Sequence, residues 1–199
     1  MRFSFAIATI VTLLLNGSTG FAQTRDLQLT TSLSRQQRCA ASAGVDVLRL
    51  TLQLRYTNAG RQKLILYKGN RLFFQIFISR SGQDELRATH ARYFDEQLER
   101  MTTSTPGSAF TILSPGAAYE TKEVISVPVA RDGNSRFNVS IAPGEHVLNV
   151  VSSTWYESKK LADELRERWR SRGLLWTAPI ASGAITFAVD QNGATVACQ

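Results

Sequence analysis

The chain has 199 residues and a formal charge of +7, with 43% hydrophobic and 20% charged residues. That balance describes an ordinary globular chain of about one domain and excludes a disordered one. The positive charge is scattered rather than gathered in a dense Lys/Arg run, so no nucleic-acid-binding segment is marked.

The first stretch has Arg2 as its sole charge before Arg25, then the apolar run Phe3 to Leu15, then small residues at Gly20 and Ala22. This pattern predicts a signal peptide over 1–22, cleaved after Ala22. The alternative is an uncleaved anchor, but the run is 13 residues long, short of the ~20 that a spanning helix needs. The expected mature domain, 23–199, is exported, periplasmic or secreted, with no membrane span after cleavage and a residual charge of +6. Such a charge favours anionic surfaces or simply maintains solubility.

Cys39 and Cys198 are the chain's only cysteines. In an oxidising compartment they predict one disulfide, with free thiols or an intermolecular bond as alternatives. The chain-entropy model gives so long a loop about 4–5 kcal/mol of stabilisation. The pair has no ligand spacing, so no metal site is expected.

Leu48, Leu50, Leu52, Leu54 and Tyr56 alternate with polar residues, which predicts a long half-buried strand. Asn58-Ala59-Gly60 offers positive-φ residues for a tight turn into Leu64–Tyr67. Lys68-Gly69-Asn70 turns again into Leu72–Ile78, so a three-stranded meander is expected. Residues 79–108 are polar and poorly periodic, and read as an insertion with at most one short helix around Phe94, Leu98 and Met101. Strands follow at Phe110–Leu113, Ala118–Val129, Phe137–Ile141, Val147–Trp155, Ile185–Val189 and Thr195–Cys198, separated by Gly, Pro and Asn turns. Pro128 suits an edge or a bulge. About eight such strands argue for an all-β antiparallel sandwich.

One helix interrupts it. In Glu157–Gly173, Leu161, Leu165 and Trp169 fall on one narrow stripe, and Arg166, Arg168, Arg170 and Arg172 crowd the C-terminal end. Gly173 is a natural stop. This amphipathic helix is a second insertion, 156–176. Trp155, Tyr156, Trp169, Trp176 and Arg172 form the candidate binding cluster: either an aromatic platform for a partner, or indoles that pin the helix to the sheet.

LRYTNAGRQKLILYKG, LFFQIFISRSG, FTILSPGAAYET and IAPGEHVLNV together resemble the strand ladder of bacterial immunoglobulin-like domains. The Asn-x-Gly turn and two later Pro-Gly turns are similar to those of the BsuPI-type intracellular proteinase inhibitor family. The resemblance covers Val45 to Val151. It implies an immunoglobulin-like sandwich and carries over no inhibitory residue.

Catalysis has no local motif. His90 lies in the polar insertion, and His146 follows Pro-Gly-Glu at a strand start, where a solvent-facing or capping role is expected. No His-Glu-x-x-His, Gly-x-Ser-x-Gly or phosphate-cradling loop occurs. Asp84-Glu85 and Asp95-Glu96 are adjacent rather than opposed. The sequence therefore points to a non-enzymatic exported module that needs no cofactor and binds a protein or envelope polymer. A secreted proteinase inhibitor acting through the 79–108 loop is the alternative.

Overall fold

The structure, a computed structural model, describes residues 26–40, 46–68, 72–80, 86–91, 105–129, 140–154, 159–190 and 196–197. In chain order the strands are β1 (Leu27–Ala40), β2 (Asp46–Asn58), β3 (Leu64–Tyr67), β4 (Leu72–Ser79), β5 (Leu86–Ala91), β6 (Phe110–Leu113), β7 (Ala118–Val129) and β8 (Gly144–Thr154). Helix α1 (Lys159–Trp169) follows, then β9 (Leu174–Leu175), β10 (Ile180–Ala181), β11 (Ile185–Val189) and β12 (Val196–Ala197). The fold is an all-β sandwich with one short helix.

The leucine alternation of β2 puts Leu48, Leu50, Leu52, Leu54 and Tyr56 into the core, with Arg49, Thr51, Gln53 and Arg55 on the outer face. β2 lies between β1 and β7 in a sheet ordered β12-β1-β2-β7. The facing sheet is ordered β10-β8-β4-β5, with β11 also on β8, and a small sheet β6-β3-β9 lies beside them. β7 alternates in the same way, burying Ile125, Val127 and Val129. Pro128 lies on this edge strand, where an absent N–H costs no ladder bond.

The expected meander does not form. β2, β3 and β4 are consecutive in sequence but lie in three different sheets. The physical reason is the burial of LILY: all four β3 residues are buried, so this strand needs apolar neighbours on both faces. A meander strand with one wet face cannot supply them. The turn before β3 also differs from expectation. Gly60 does not adopt a positive φ; its missing Cβ instead leaves room for Asp26, whose side chain would stand 2.9 Å from such an atom. The 79–108 segment holds a strand, β5, paired antiparallel with β4 from Phe73↔Ala91 to Ile78↔Leu86. The short helix expected around Phe94, Leu98 and Met101 lies outside the described residues, as do 1–22, the turn at 131–134 and residues 137–139 of the strand expected over 137–141. Ile141 bridges Val129.

Two polar ties cross the interior. The Tyr56 hydroxyl on β2 lies 2.8 Å from the Ser152 hydroxyl on β8, joining the two large sheets inside the core. At the far end Arg38 donates to the Asp46 carboxylate at 2.7 and 3.0 Å and to the Asp190 carbonyl at 3.0 Å. Gln36 reaches the Ala188 carbonyl at 2.6 Å. We expect Tyr56→Phe to cost about 0.5–1.5 kcal/mol, the net value of one buried hydrogen bond. A lowered chemical-denaturation midpoint with unchanged slope checks it; no shift would mean the tie contributes nothing.

Cys39 is fully buried on β1. β12 runs parallel to β1, with Cys39 opposite Val196 and Ala40 opposite Ala197. Cys198 lies outside the described residues, and no described cysteine is a free thiol.

Candidate functional site

The helix is fixed by its apolar stripe. Ala162, Leu165 and Trp169 are buried and Leu161 is half-buried, as the four-residue spacing predicts. Trp169 is 0% exposed and meets Phe110 edge to face, with centroids 4.8 Å apart; Phe110 in turn meets Tyr67 at 5.3 Å. Trp176 is buried too, and its indole N–H donates to the Ala178 carbonyl at 2.8 Å. Of the two readings of the cluster, platform or packing, Trp169 and Trp176 take the second: both indoles are core, and neither is an exposed binding residue. The cause is the small β6-β3-β9 sheet, whose Tyr67 and Phe110 need a large flat partner. Trp155 and Tyr156 lie outside the described residues. Arg172, the remaining member of the cluster, is exposed.

What α1 presents outward is charge. Arg166 pairs with Asp163 at 2.7 Å and also donates to the Thr177 hydroxyl at 2.7 Å. Arg170 pairs with Glu167 at 2.9 Å, and Lys160 lies 3.9 Å from Glu164. These exposed pairs contribute only about 0–1 kcal/mol each.

The helix stops as Gly173 predicts. The N–H groups of Arg172 and Gly173 donate to the Trp169 carbonyl at 2.7 and 3.2 Å, and Gly173 has φ +156°. A Cβ there would stand 2.8 Å from the Lys63 carbonyl oxygen, so glycine also permits the close approach of two backbones. Leu174 N–H donates to that Lys63 carbonyl at 2.8 Å, and Trp176 N–H to the Ile65 carbonyl at 2.9 Å. Parallel pairing of β9 on β3 follows from these bonds.

Asn58 fixes the opposite wall. Its buried side-chain amide donates to the Gln62 and Leu113 carbonyls, both at 2.8 Å, and its Oδ1 accepts from Gly60 N–H at 3.0 Å. Its own N–H donates to the Ala117 carbonyl at 2.9 Å, and its carbonyl accepts from Gly116 N–H at 2.8 Å. One residue therefore holds both the 59–63 loop and the 114–117 turn. Between the 59–63 loop and the end of α1 with its turn into β9 lies an open groove of about 420 Å³, lined by Gln62, Lys63, Arg166, Arg170, Ser171, Arg172, Gly173 and Leu174.

Arg172 was the one groove residue among the sequence candidates. Gln62 and Lys63 were not found. Their signal was the polar run Arg61-Gln62-Lys63 after the Asn-x-Gly turn, but its meeting with the helix end depends on a long-range parallel pairing.

Of the two roles expected of it, solvent-facing or capping, His146 takes the second. It is buried, stacks on Phe187 at 5.5 Å, and its Nε2 lies 2.7 Å from the Ala142 carbonyl. A carbonyl only accepts, so Nε2 carries the proton. The ring closes the turn into β8. Among the described residues no group of three or more His, Cys, Asp or Glu is placed to hold a metal ion. No described helix is long and apolar enough to cross a membrane.

Compared with family models, curated proteins and solved structures, the chain matches none of them.

Proposed function

We propose that this chain is an exported, non-catalytic module with an immunoglobulin-like sandwich, and that it binds a protein or cell-envelope component through the basic end of α1. The observation that carries the reading is the groove itself. It gathers four cations: Arg166 on α1, Arg170 and Arg172 on the turn after it, and Lys63 on the loop that Asn58 holds. Among the described residues no histidine or carboxylate lines it; its lining offers charge and hydrogen-bond donors.

The apolar run and small residues of 1–22 support export. A Cys39–Cys198 disulfide fits the same compartment: β12, which ends at the residue before Cys198, pairs parallel with β1 at Cys39. Such a bond would tie the last strand to the first.

The test is affinity capture. Oxidised protein spanning 23–199 is incubated with detergent-solubilised envelope and secreted fractions at low and high salt, beside Arg170→Glu/Arg172→Glu. Both side chains are exposed, so the variant keeps its fold. A component retained by the parent through high salt and lost in the variant is the expected result. Retention equal in both would sink the assignment of this surface.

A further inference from the structure

We propose, resting on the binding role above, that the groove between the 59–63 loop and the α1–β9 turn is a site for a phosphate group. Two of the four groove cations are already neutralised. Arg170 is paired with Glu167, and Arg166 with Asp163. Lys63 and Arg172 make no ion pair among the described residues, so two positive charges remain uncompensated across the groove.

The end of α1 opposes an anion, since its last carbonyls carry about half a negative charge. That half charge is partly met by the Arg172 and Gly173 N–H groups on the Trp169 carbonyl. Two full cations outweigh it.

The donor set then selects the ligand chemistry. Lys63 supplies a point charge and Arg172 a planar fork suited to paired oxyanion contacts. The Ser171 hydroxyl and the Gln62 amide add neutral donors beside them. Several donors around a local charge of +2 match a dianion with tetrahedral oxygens better than a single carboxylate. Among the described residues the only large apolar side chain in the lining is Leu174, and no aromatic ring lines it. A sugar ring or an apolar peptide side chain therefore has no stacking surface here. A volume of about 420 Å³ accommodates a phosphate together with the group that carries it, since ligand clefts run from about 300 to 1,000 Å³. Phosphate reaches such a site free, on a small molecule or on a lipid headgroup, and two probes separate these sources.

Backbone amide NMR of the oxidised 23–199 protein is followed during titration with inorganic phosphate at constant ionic strength set by chloride. Co-sedimentation is run with phosphatidylcholine vesicles, with and without phosphatidic acid, whose phosphomonoester carries the second negative charge. The variants are Lys63→Gln/Arg172→Gln and, as an equal charge change on the β12-β1-β2-β7 sheet, Arg35→Gln/Lys122→Gln. Saturable one-site shifts at 62–63 and 171–174, weakened at least tenfold in the first variant and unchanged in the second, are expected for the free anion. Vesicle binding with the same variant pattern, and no response to inorganic phosphate, assigns the site to a headgroup and equally supports the proposal. Silence of both probes, shifts confined to other residues, or equal weakening in both variants would overturn it. If it is overturned while capture from the envelope fraction is still lost in Arg170→Glu/Arg172→Glu, the binding role stands and only the phosphate site falls.

Discussion

Trp169→Ala is expected to lower stability by about 3–5 kcal/mol, the range for truncating a fully buried large aromatic. The indole is 0% exposed and has Phe110 against it at 4.8 Å, so the variant loses both transfer energy and an edge-to-face contact. The cavity would open between α1 and the β6-β3-β9 sheet, beside the Trp169 carbonyl that accepts the two N–H groups ending the helix. For a domain of this size the loss corresponds to a melting temperature lowered by roughly 6–20 °C. Thermal and chemical denaturation of the oxidised protein measure it. An indole serving as an exposed platform would behave differently: its removal would abolish binding and shift stability by less than about 0.5 kcal/mol. That outcome would restore the aromatic platform and contradict the packing described here.

Asn58→Asp should be of comparable size, at about 3–5 kcal/mol. The substitution is nearly isosteric, so it tests hydrogen-bond polarity rather than volume. The native amide donates to two carbonyls, Gln62 and Leu113, in a fully buried position. A carboxylate has no donor for either, and stranding buried acceptors costs about 1–3 kcal/mol each. A buried negative charge facing two carbonyl oxygens adds to that, and the side chain escapes it only by taking up a proton. The aspartate carboxyl in the folded variant must therefore titrate above its unfolded value. Between those two values the folded variant holds a proton that the unfolded chain has released, so the variant should become less stable as pH rises through the ordinary carboxylate range. Denaturation midpoints of the variant and its parent at pH 4 and pH 7 read this. A penalty that is smaller at pH 7 than at pH 4 would contradict the account. Because Asn58 anchors the loop that carries Gln62 and Lys63, the same substitution should also weaken binding in the groove.

The strands were legible wherever one face is wet. β7 and β11 begin and end where period-two alternation and flanking turns place them, at Ala118–Val129 and Ile185–Val189. α1 was legible because Leu161, Leu165 and Trp169 repeat at helical spacing. β1 was not read, although it is the longest strand. Its alternation holds through Leu27, Leu29, Thr31 and Leu33, and then the register shifts between Leu33 and Arg35, which changes the phase of everything after it. β9 and β10 are two residues each and have no period to detect.

Pairing order was harder than strand position. LILY shows no alternation, and that continuous apolar run was itself the sign that β3 is covered on both faces. A reading from the Asn-x-Gly turn favours the local hairpin and misses this. The site followed the same division. The arginines at the helix end were visible as a local cluster, and the tryptophans as a local trio. Their different fates depend on what the remote Phe110 and Lys63 place opposite them, and nothing in the 157–176 stretch encodes that. Large aromatics found a core and the arginines were left at the surface.

The most direct test of the central claim, that this protein binds through the end of α1, is hydrogen–deuterium exchange with and without the envelope fraction retained in capture. Slowed exchange confined to 59–63 and 170–175 is the predicted result. Unchanged exchange in those two loops, with protection on the outer face of the β12-β1-β2-β7 sheet instead, would place the binding surface elsewhere and contradict it.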